Sequence, residues 1–291
     1  MAAERVPARD IAFVRQPGAR GTAWLATSYA MFSRARLHWI VLLFTYYGVL
    51  LVADFIPFVG GLAAPLLKPV FAVGFLAAAW SQERGGRPGV RELFQGFRSN
   101  LLALVLLGVV FVVGITAAIS ATALVDGGKL FDLVTNPVPQ DLDQDAATLR
   151  LQATLSDGDV QLGMLFGALC AIPTLFALWW APALVVFQDA STATALAASL
   201  RAALANWRPI LRYALTVFVF GGVLPTIAAT VLAMVLPAPA GRALALALML
   251  PYVFFFVATL HISDYVSYRD VFHPGETLVP GADAGAAPPP S

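Results

Sequence analysis

The sequence predicts an all-α polytopic membrane protein, with six transmembrane helices and three cytoplasmic interfacial amphipathic helices in a threefold internal repeat. Three observations predict it. Hydrophobic residues make up 59% of the chain and charged residues only 12%, about half the charge of an ordinary soluble domain. Apolar runs of about 20 residues, enough to cross the hydrocarbon core at about 1.5 Å per residue, recur along the chain. Between them lie arginine-bearing segments with helical periodicity. The clearest is in Asp189–Gly221, where Leu196, Leu200, Ala203, Leu204 and Trp207 share one face and Arg201 and Arg208 the other. Arg208-Pro209 then breaks that helix, and an apolar run follows directly.

The elements read in order as follows. Residues 1–23 are a basic arm carrying Arg5, Arg9, Arg15 and Arg20 without periodicity, expected to be mobile. No short apolar region followed by a small-residue cleavage site marks a cleavable signal peptide. The membrane domain covers 24–272. A first surface helix spans Trp24–Arg36, with Trp24, Leu25, Ser28, Met31, Phe32 and Ala35 on one side. Leu37–Ile56 spans, 56–61 turns, and Leu62–Trp80 returns. The link Ser81–Asn100 opens on Gly85-Gly86-Arg87-Pro88-Gly89 and forms the second surface helix, with Val90, Leu93, Phe94, Phe97 and Leu101 facing one way. Leu101–Val125 spans. The insert 126–160 carries seven Asp against Lys129 and Arg150 and reads as a solvated acidic periplasmic loop. Gly163–Phe187 spans with kinks expected at Pro173 and Pro182. Ile210–Val235 and Ala243–Ile262 complete the set, and 273–291, rich in Pro, Gly and Ala, reads as a disordered tail.

Orientation follows from Lys and Arg. Arg34, Arg36, Arg84, Arg87, Arg91, Arg98, Arg201, Arg208 and Arg269 fall on the side of the N-terminal arm, whereas Lys129, Arg150 and Arg242 fall on the other. The positive-inside rule then places both termini in the cytoplasm of a bacterium, with the protein in its inner membrane. The surface helices also share a pattern: Ser28-Tyr29, Gly96-Phe97-Arg98 and Ser199-Leu200-Arg201. Phe97 follows Tyr29 by 68 residues, and the next interval becomes 68 once the insert is removed. Three copies of surface helix, down helix and up helix would produce this spacing.

Gly96-Phe97-Arg98-Ser99-Asn100, Ala181-Pro182-Ala183-Leu184-Val185-Val186-Phe187 with Asp189, and Tyr268-Arg269-Asp270-Val271-Phe272 resemble a beta-proteobacterial family of six-helix inner-membrane proteins of unknown function. The likeness covers Trp24 to Phe272 without the acidic insert. More loosely, the repeat unit is similar to the membrane domain attached to some glycerophosphodiester phosphodiesterases. Their catalytic barrel has no counterpart here, so the resemblance implies an architecture and a compartment and no reaction.

Chemistry-bearing groups are sparse. Asp54 and Lys68 bracket the first outer turn and are expected to pair. Asp270 is expected to pair with Arg98 or Arg201 and dock the end of the domain onto the bundle. Asp189 is read as a helix cap. Asp141-Leu142-Asp143-Gln144-Asp145 starts like a calcium loop, but Ala146 and Gln152 occupy positions that need Gly and Glu. His261 and Asp264 lie on one helix face; with His38 they would be a site only if all three converged. Cys170 stands alone in an apolar run. No catalytic constellation, cofactor motif or metal cluster is legible, and a formal net charge of +1 gives no case for nucleic acid. The expected function is non-enzymatic lipid handling or membrane assembly. Arg98, Arg201, Arg208, Phe97 and Trp207 would contact membrane lipids or another membrane protein. A small-molecule transporter or channel is the alternative.

Overall fold

The computed structural model describes residues 11–56, 60–136 and 144–274, and among them there is no strand. Among the described residues, six stretches are long and apolar enough to cross a membrane: Arg36–Asp54, Gly61–Glu83, Leu101–Asp126, Gly158–Phe187, Trp207–Val235 and Ala243–Phe272. The protein is an all-α polytopic membrane protein. Its helices are α1 (Arg20–Arg34), α2 (Arg36–Asp54), α3 (Gly60–Glu83), α4 (Val90–Leu93), α5 (Leu101–Asp126), α6 (Lys129–Thr135), α7 (Gln144–Ser156), α8 (Gly158–Leu178), α9 (Ala181–Phe187), α10 (Thr192–Ala205), α11 (Trp207–Phe218), α12 (Leu224–Val235) and α13 (Ala238–Phe272).

Successive spans pack in pairs, α2 on α3, α5 on α8 and α12 on α13, and α5 also packs closely on α3. Small residues permit the closest approaches, as membrane helices require when lipid competes equally for large apolar side chains. An ideal Cβ on Gly108 would lie 2.3 Å from the Leu66 carbonyl oxygen, and one on Gly114 would lie 2.4 Å from the Thr174 side chain. The fifth span is the outlier: α11 packs on α1 and α12 on α13, with no comparable packing of either against α5 or α8. Leu215, Phe218, Leu224, Ile227 and Val231 are exposed along it, as are Phe44, Leu51 and Val52 on α2. Such surfaces face lipid.

A cluster of large buried side chains lies at the end of the bundle where the described chain ends meet. Trp24, Trp39, Trp180, Tyr265 and Tyr268 are fully buried there. The last turns of α13 are the axis of this region. Val14 N–H donates to the Val271 carbonyl at 2.8 Å, and Gln16 N–H to the Asn206 side chain at 2.7 Å. Residues 11–23 are thus docked and not a free arm. Their backbone and Arg20 find partners on α13 and at Asn206, the residue that separates α10 from α11. Residues 1–10, and the expected tail beyond Pro274, lie outside the described residues.

Several expected boundaries move for physical reasons. α13 runs unbroken through Pro251 to Phe272, because the buried face Ala258, Ile262, Tyr265 and Tyr268 keeps helical spacing past the apolar run. The fourth span starts at Gly158, capped by Asp157, and Pro173 lies inside α8. The break comes at Trp179–Trp180, with Pro182 in the first turn of α9, where a missing N–H costs nothing. Arg208-Pro209 breaks nothing: Asn206 separates the helices and Pro209 sits in the opening turn of α11. Ser191, and not Asp189, caps α10, accepting from Thr194 N–H at 3.2 Å. The second surface segment is only α4 followed by a 3₁₀ turn at Gln95–Arg98.

The faces of the surface segments also differ from expectation. α1 buries Gly21, Trp24, Ser28, Met31 and Phe32, but against the protein. α10 buries Ala195, Ala198, Ser199, Ala202 and Ala203 and leaves Leu204 exposed. Its small side packs on the bundle; Ser199 Oγ donates to the Phe176 carbonyl at 2.8 Å and accepts from Trp180 N–H at 3.0 Å.

The acidic insert is not a plain loop, since α6 and α7 occupy its described part. Lys129 Nζ lies 2.6 Å from an Asp157 carboxylate oxygen. That contact, followed by the backbone N–H of Asp159, holds the Asp157 carboxyl below its usual value. A lowered carboxyl stabilises the fold above its ordinary value, and the contribution vanishes as pH falls through the lowered one. The melting difference between wild type and Lys129→Gln should therefore be steady around neutrality and shrink toward zero in acid. A difference independent of pH would exclude this contact as its source. The acidic run Asp141–Asp143 lies outside the described residues.

Candidate functional site

The second span ends in a turn that fixes the geometry of the basic end. Gly85, at φ +83°, takes the left-handed conformation that terminates α3. Gly85 N–H donates to the Gln82 carbonyl at 3.1 Å and Gly86 N–H to the Ser81 carbonyl at 2.9 Å, the pairing of a Schellman cap. The reversal projects Arg84 and Arg87 from the negative end of the α3 dipole, where cations are favoured. Arg84 stacks over the Trp80 ring at 4.5 Å.

Two cavities flank this turn and share Gly86. One, about 430 Å³, is lined by Arg34 and His38 from the first two helices, Gln82, Glu83 and Arg87 around the turn, and Arg269 from α13. The other, about 660 Å³, is lined by Trp80, Arg84, Arg91, Glu92, Gln95 and Phe187 among others. A hydrogen-bonded frame holds the walls. Trp39 Nε1–H donates to Gln82 at 2.8 Å, and Gln82 Nε2–H donates to the Met31 carbonyl at 2.7 Å. Glu83 accepts from both Tyr265 Oη and Arg269. Arg269 also lies 3.5 Å from Asp270. Asp270 in turn takes Arg20 Nε at 2.9 Å and Trp24 Nε1 at 3.0 Å.

The frame leaves positive charge over. Glu83 is the carboxylate lining the smaller cavity, and Arg269 occupies it. Arg34 and Arg87 have no ion pair among the described residues. Two planar guanidiniums facing a recess are suited to a phosphate, which each can grip through two N–H groups.

The other candidates scatter. Arg98 and Arg208 are exposed, Arg208 over the Trp207 ring at 5.5 Å, and Arg201 is half-buried on α10. Phe97 packs edge-on against Phe71 at 5.3 Å. Asp270 pairs with Arg20 and not with Arg98 or Arg201, because the docked N-terminal segment reaches it first. Lys68 forms no ion pair with Asp54; its ammonium lies 4.7 Å over the Phe111 ring. His38, His261 and Asp264 do not converge: His261 stacks on Phe75 at 3.9 Å, while His38 lines the smaller basic cavity. Among the described residues, no three His, Cys, Asp or Glu side chains are grouped as metal ligands. The sequence shows Arg34 and Arg87 as basic residues but not as a site, since their meeting depends on a turn and two helices far apart in sequence.

The chain is similar to a probable inner membrane protein of Burkholderia thailandensis, 28% identical over 268 residues, which are 89% of this chain and 94% of that one. This agrees with the resemblance carried by the motifs around Gly96, Ala181 and Tyr268. No family model and no solved structure matches the chain.

Proposed function

We propose that this inner-membrane protein handles lipid without enzymatic chemistry, seating the phosphate of anionic headgroups in the basic cavities, with both termini cytoplasmic. The observation that carries the reading is Arg34 and Arg87 facing one recess with no carboxylate partner among the described residues. The positive-inside rule and the anionic surface of the cytoplasmic leaflet support the orientation. The buried small residues Ser28, Gly96 and Ser199 support a threefold arrangement of surface segments around that face.

The test is native mass spectrometry of protein released from nanodiscs of phosphatidylethanolamine and phosphatidylglycerol. Arg34→Ala combined with Arg87→Ala should cut retained phosphatidylglycerol about tenfold or more, since hydrogen bonds to charged groups contribute about 1.5–3 kcal/mol each. Unchanged retention in this variant and in Arg98→Ala/Arg201→Ala/Arg208→Ala would remove the reading. A small-molecule transporter or channel is the second reading, favoured by ionisable Lys68 and Asp264 within the spans. Proteoliposome flux lost in Lys68→Met and Asp264→Asn would select it.

A further inference from the structure

A cavity of about 290 Å³ lies inside the bundle, walled by the second through sixth spans. Its chemistry rests on Lys68, Trp179 and Asp264, with Phe111, Pro182 and Tyr213 among the remaining walls. Lys68 stands eight residues from Gly60, about 12 Å along α3 from the end remote from the termini. Asp264 stands eight residues before Phe272, about 12 Å along α13 from the opposite end. Both are inside spans, where an ionisable group is costly unless something answers its charge.

The protein does not fully answer these charges. Lys68 has the Phe111 ring face at 4.7 Å, which attracts the cation but accepts no strong hydrogen bond. Asp264 receives no side-chain hydrogen bond and no close ion pair from any described residue. Trp179 Nε1–H is buried without an acceptor. The Tyr213 hydroxyl is already engaged with Ser263 Oγ at 2.7 Å. A cation and an anion that attract each other across the gap without meeting, and an N–H donor without an acceptor, therefore line one recess. Leaving polar groups unmet in such a place is unfavourable. A complementary ligand carries an oxyanion for Lys68 and Trp179 and a cationic donor for Asp264.

Two features point to a lipid as the source. The remaining walls are mainly apolar; Tyr213 of the fifth span packs edge-on against Trp179 of the fourth at 5.5 Å, but the fifth span has no extensive packing on α5 or α8, which leaves that side of the cavity toward acyl chains. The fourth span is also discontinuous at Trp179–Trp180, and Pro182 has no N–H to offer the Leu178 carbonyl. Interrupted spans at membrane depth are where membrane proteins place polar binding groups. We propose that this cavity binds the ammonium–phosphate head of a zwitterionic lipid, phosphate toward Lys68 and Trp179, ammonium toward Asp264, with the chains leaving beside the fifth span. It extends the lipid-handling reading to a second site with different headgroup chemistry.

The experiment uses the full chain in nanodiscs of phosphatidylethanolamine and phosphatidylglycerol, with native mass spectra recorded after release. Wild type should retain phosphatidylethanolamine above its share of the bilayer. Lys68→Met and Asp264→Asn should each lower that enrichment about tenfold, the loss of one charge-assisted contact. Trp179→Phe, which keeps the ring and removes the N–H, should lower it severalfold. Lys129→Gln, remote from the cavity, should leave it unchanged, and monodisperse elution of every variant establishes that the fold persists. No enrichment in wild type, or enrichment indifferent to both charge variants, would overturn the proposal and leave the cavity to water. Saturable binding of free phosphoethanolamine in detergent, with no lipid retained, would overturn the lipid source. Phosphatidylglycerol retention is read in the same spectra, so failure of the basic-end site is seen separately.

Discussion

Asp270→Ala should be among the most destabilising single substitutions in this chain, at about 3 kcal/mol, the low end for breaking a buried charge pair. Asp270 is 7% exposed and accepts from Arg20 and Trp24 while lying beside Arg269. Its removal leaves the buried Trp24 indole N–H without an acceptor and places two guanidiniums near each other without their shared carboxylate. The Arg20 side chain is 44% exposed, so solvent screens part of its share, which is why the low end applies. A midpoint drop of about 6–12 °C in detergent follows from the usual scaling for a domain of this size. Undocking of residues 11–23 should also open Arg15 and Arg20 to trypsin in the otherwise folded protein. Asp270→Asn retains an acceptor for Trp24 and should fall between the two. Wild-type melting together with wild-type trypsin resistance in Asp270→Ala would show that this contact does not hold the chain ends.

The spans are legible in the sequence because crossing a membrane is a local requirement: about 20 apolar residues, read within one window. The docking of residues 11–23 is not, because its partners are distant. Gln16 meets Asn206 across 190 positions and Arg20 meets Asp270 across 250. Spacing and composition carry no signal at that range, so the sequence alone points Asp270 toward arginines of the other surface segments. The faces of α10 illustrate a second limit. Periodicity finds the large apolar stripe through Leu200 and Leu204, and in a soluble protein that stripe would be the buried one. Next to lipid, the large side chains face outward and the Ala and Ser side approaches the bundle.

The candidate sites divide in the same way. The Gly85-Gly86-Arg87-Pro88-Gly89 run identifies a turn, and the structure makes it the wall between the two basic cavities. What the sequence lacks is the neighbourhood: Arg34 and Arg269 are brought to that turn by α1 and α13. Lys68 shows the opposite error. Proximity in sequence favours Asp54, but the helical direction of α3 turns the Lys68 side chain toward Phe111 and the interior cavity.

Gly74→Val should have an effect of similar size, because it tests the seam that positions the basic cavities. An ideal Cβ on Gly74 would lie 2.1 Å from the Leu93 carbonyl oxygen, and one on Gly96 would lie 2.1 Å from the Val70 carbonyl oxygen. Two glycines, one on the span and one on the link, thus let the Leu93–Gly96 backbone rest directly on α3. The obstructing atoms are backbone, which cannot rotate aside as a side chain does. Overpacking of this kind costs about 3 kcal/mol at the upper end of its usual range. The link would lift from α3 and take Arg91, Glu92 and Gln95 out of the wall of the larger cavity. Melting and phosphatidylglycerol retention should therefore fall together in Gly74→Val, and likewise in Gly96→Val. Gly48→Val is the control, since a Cβ there meets nothing within 4 Å and should change neither measurement. If Gly74→Val melts as wild type does, the close seam is not what seats the link. If it melts low but retains phosphatidylglycerol fully, the link is structural and the headgroup site belongs to the Arg34–Arg87 recess alone.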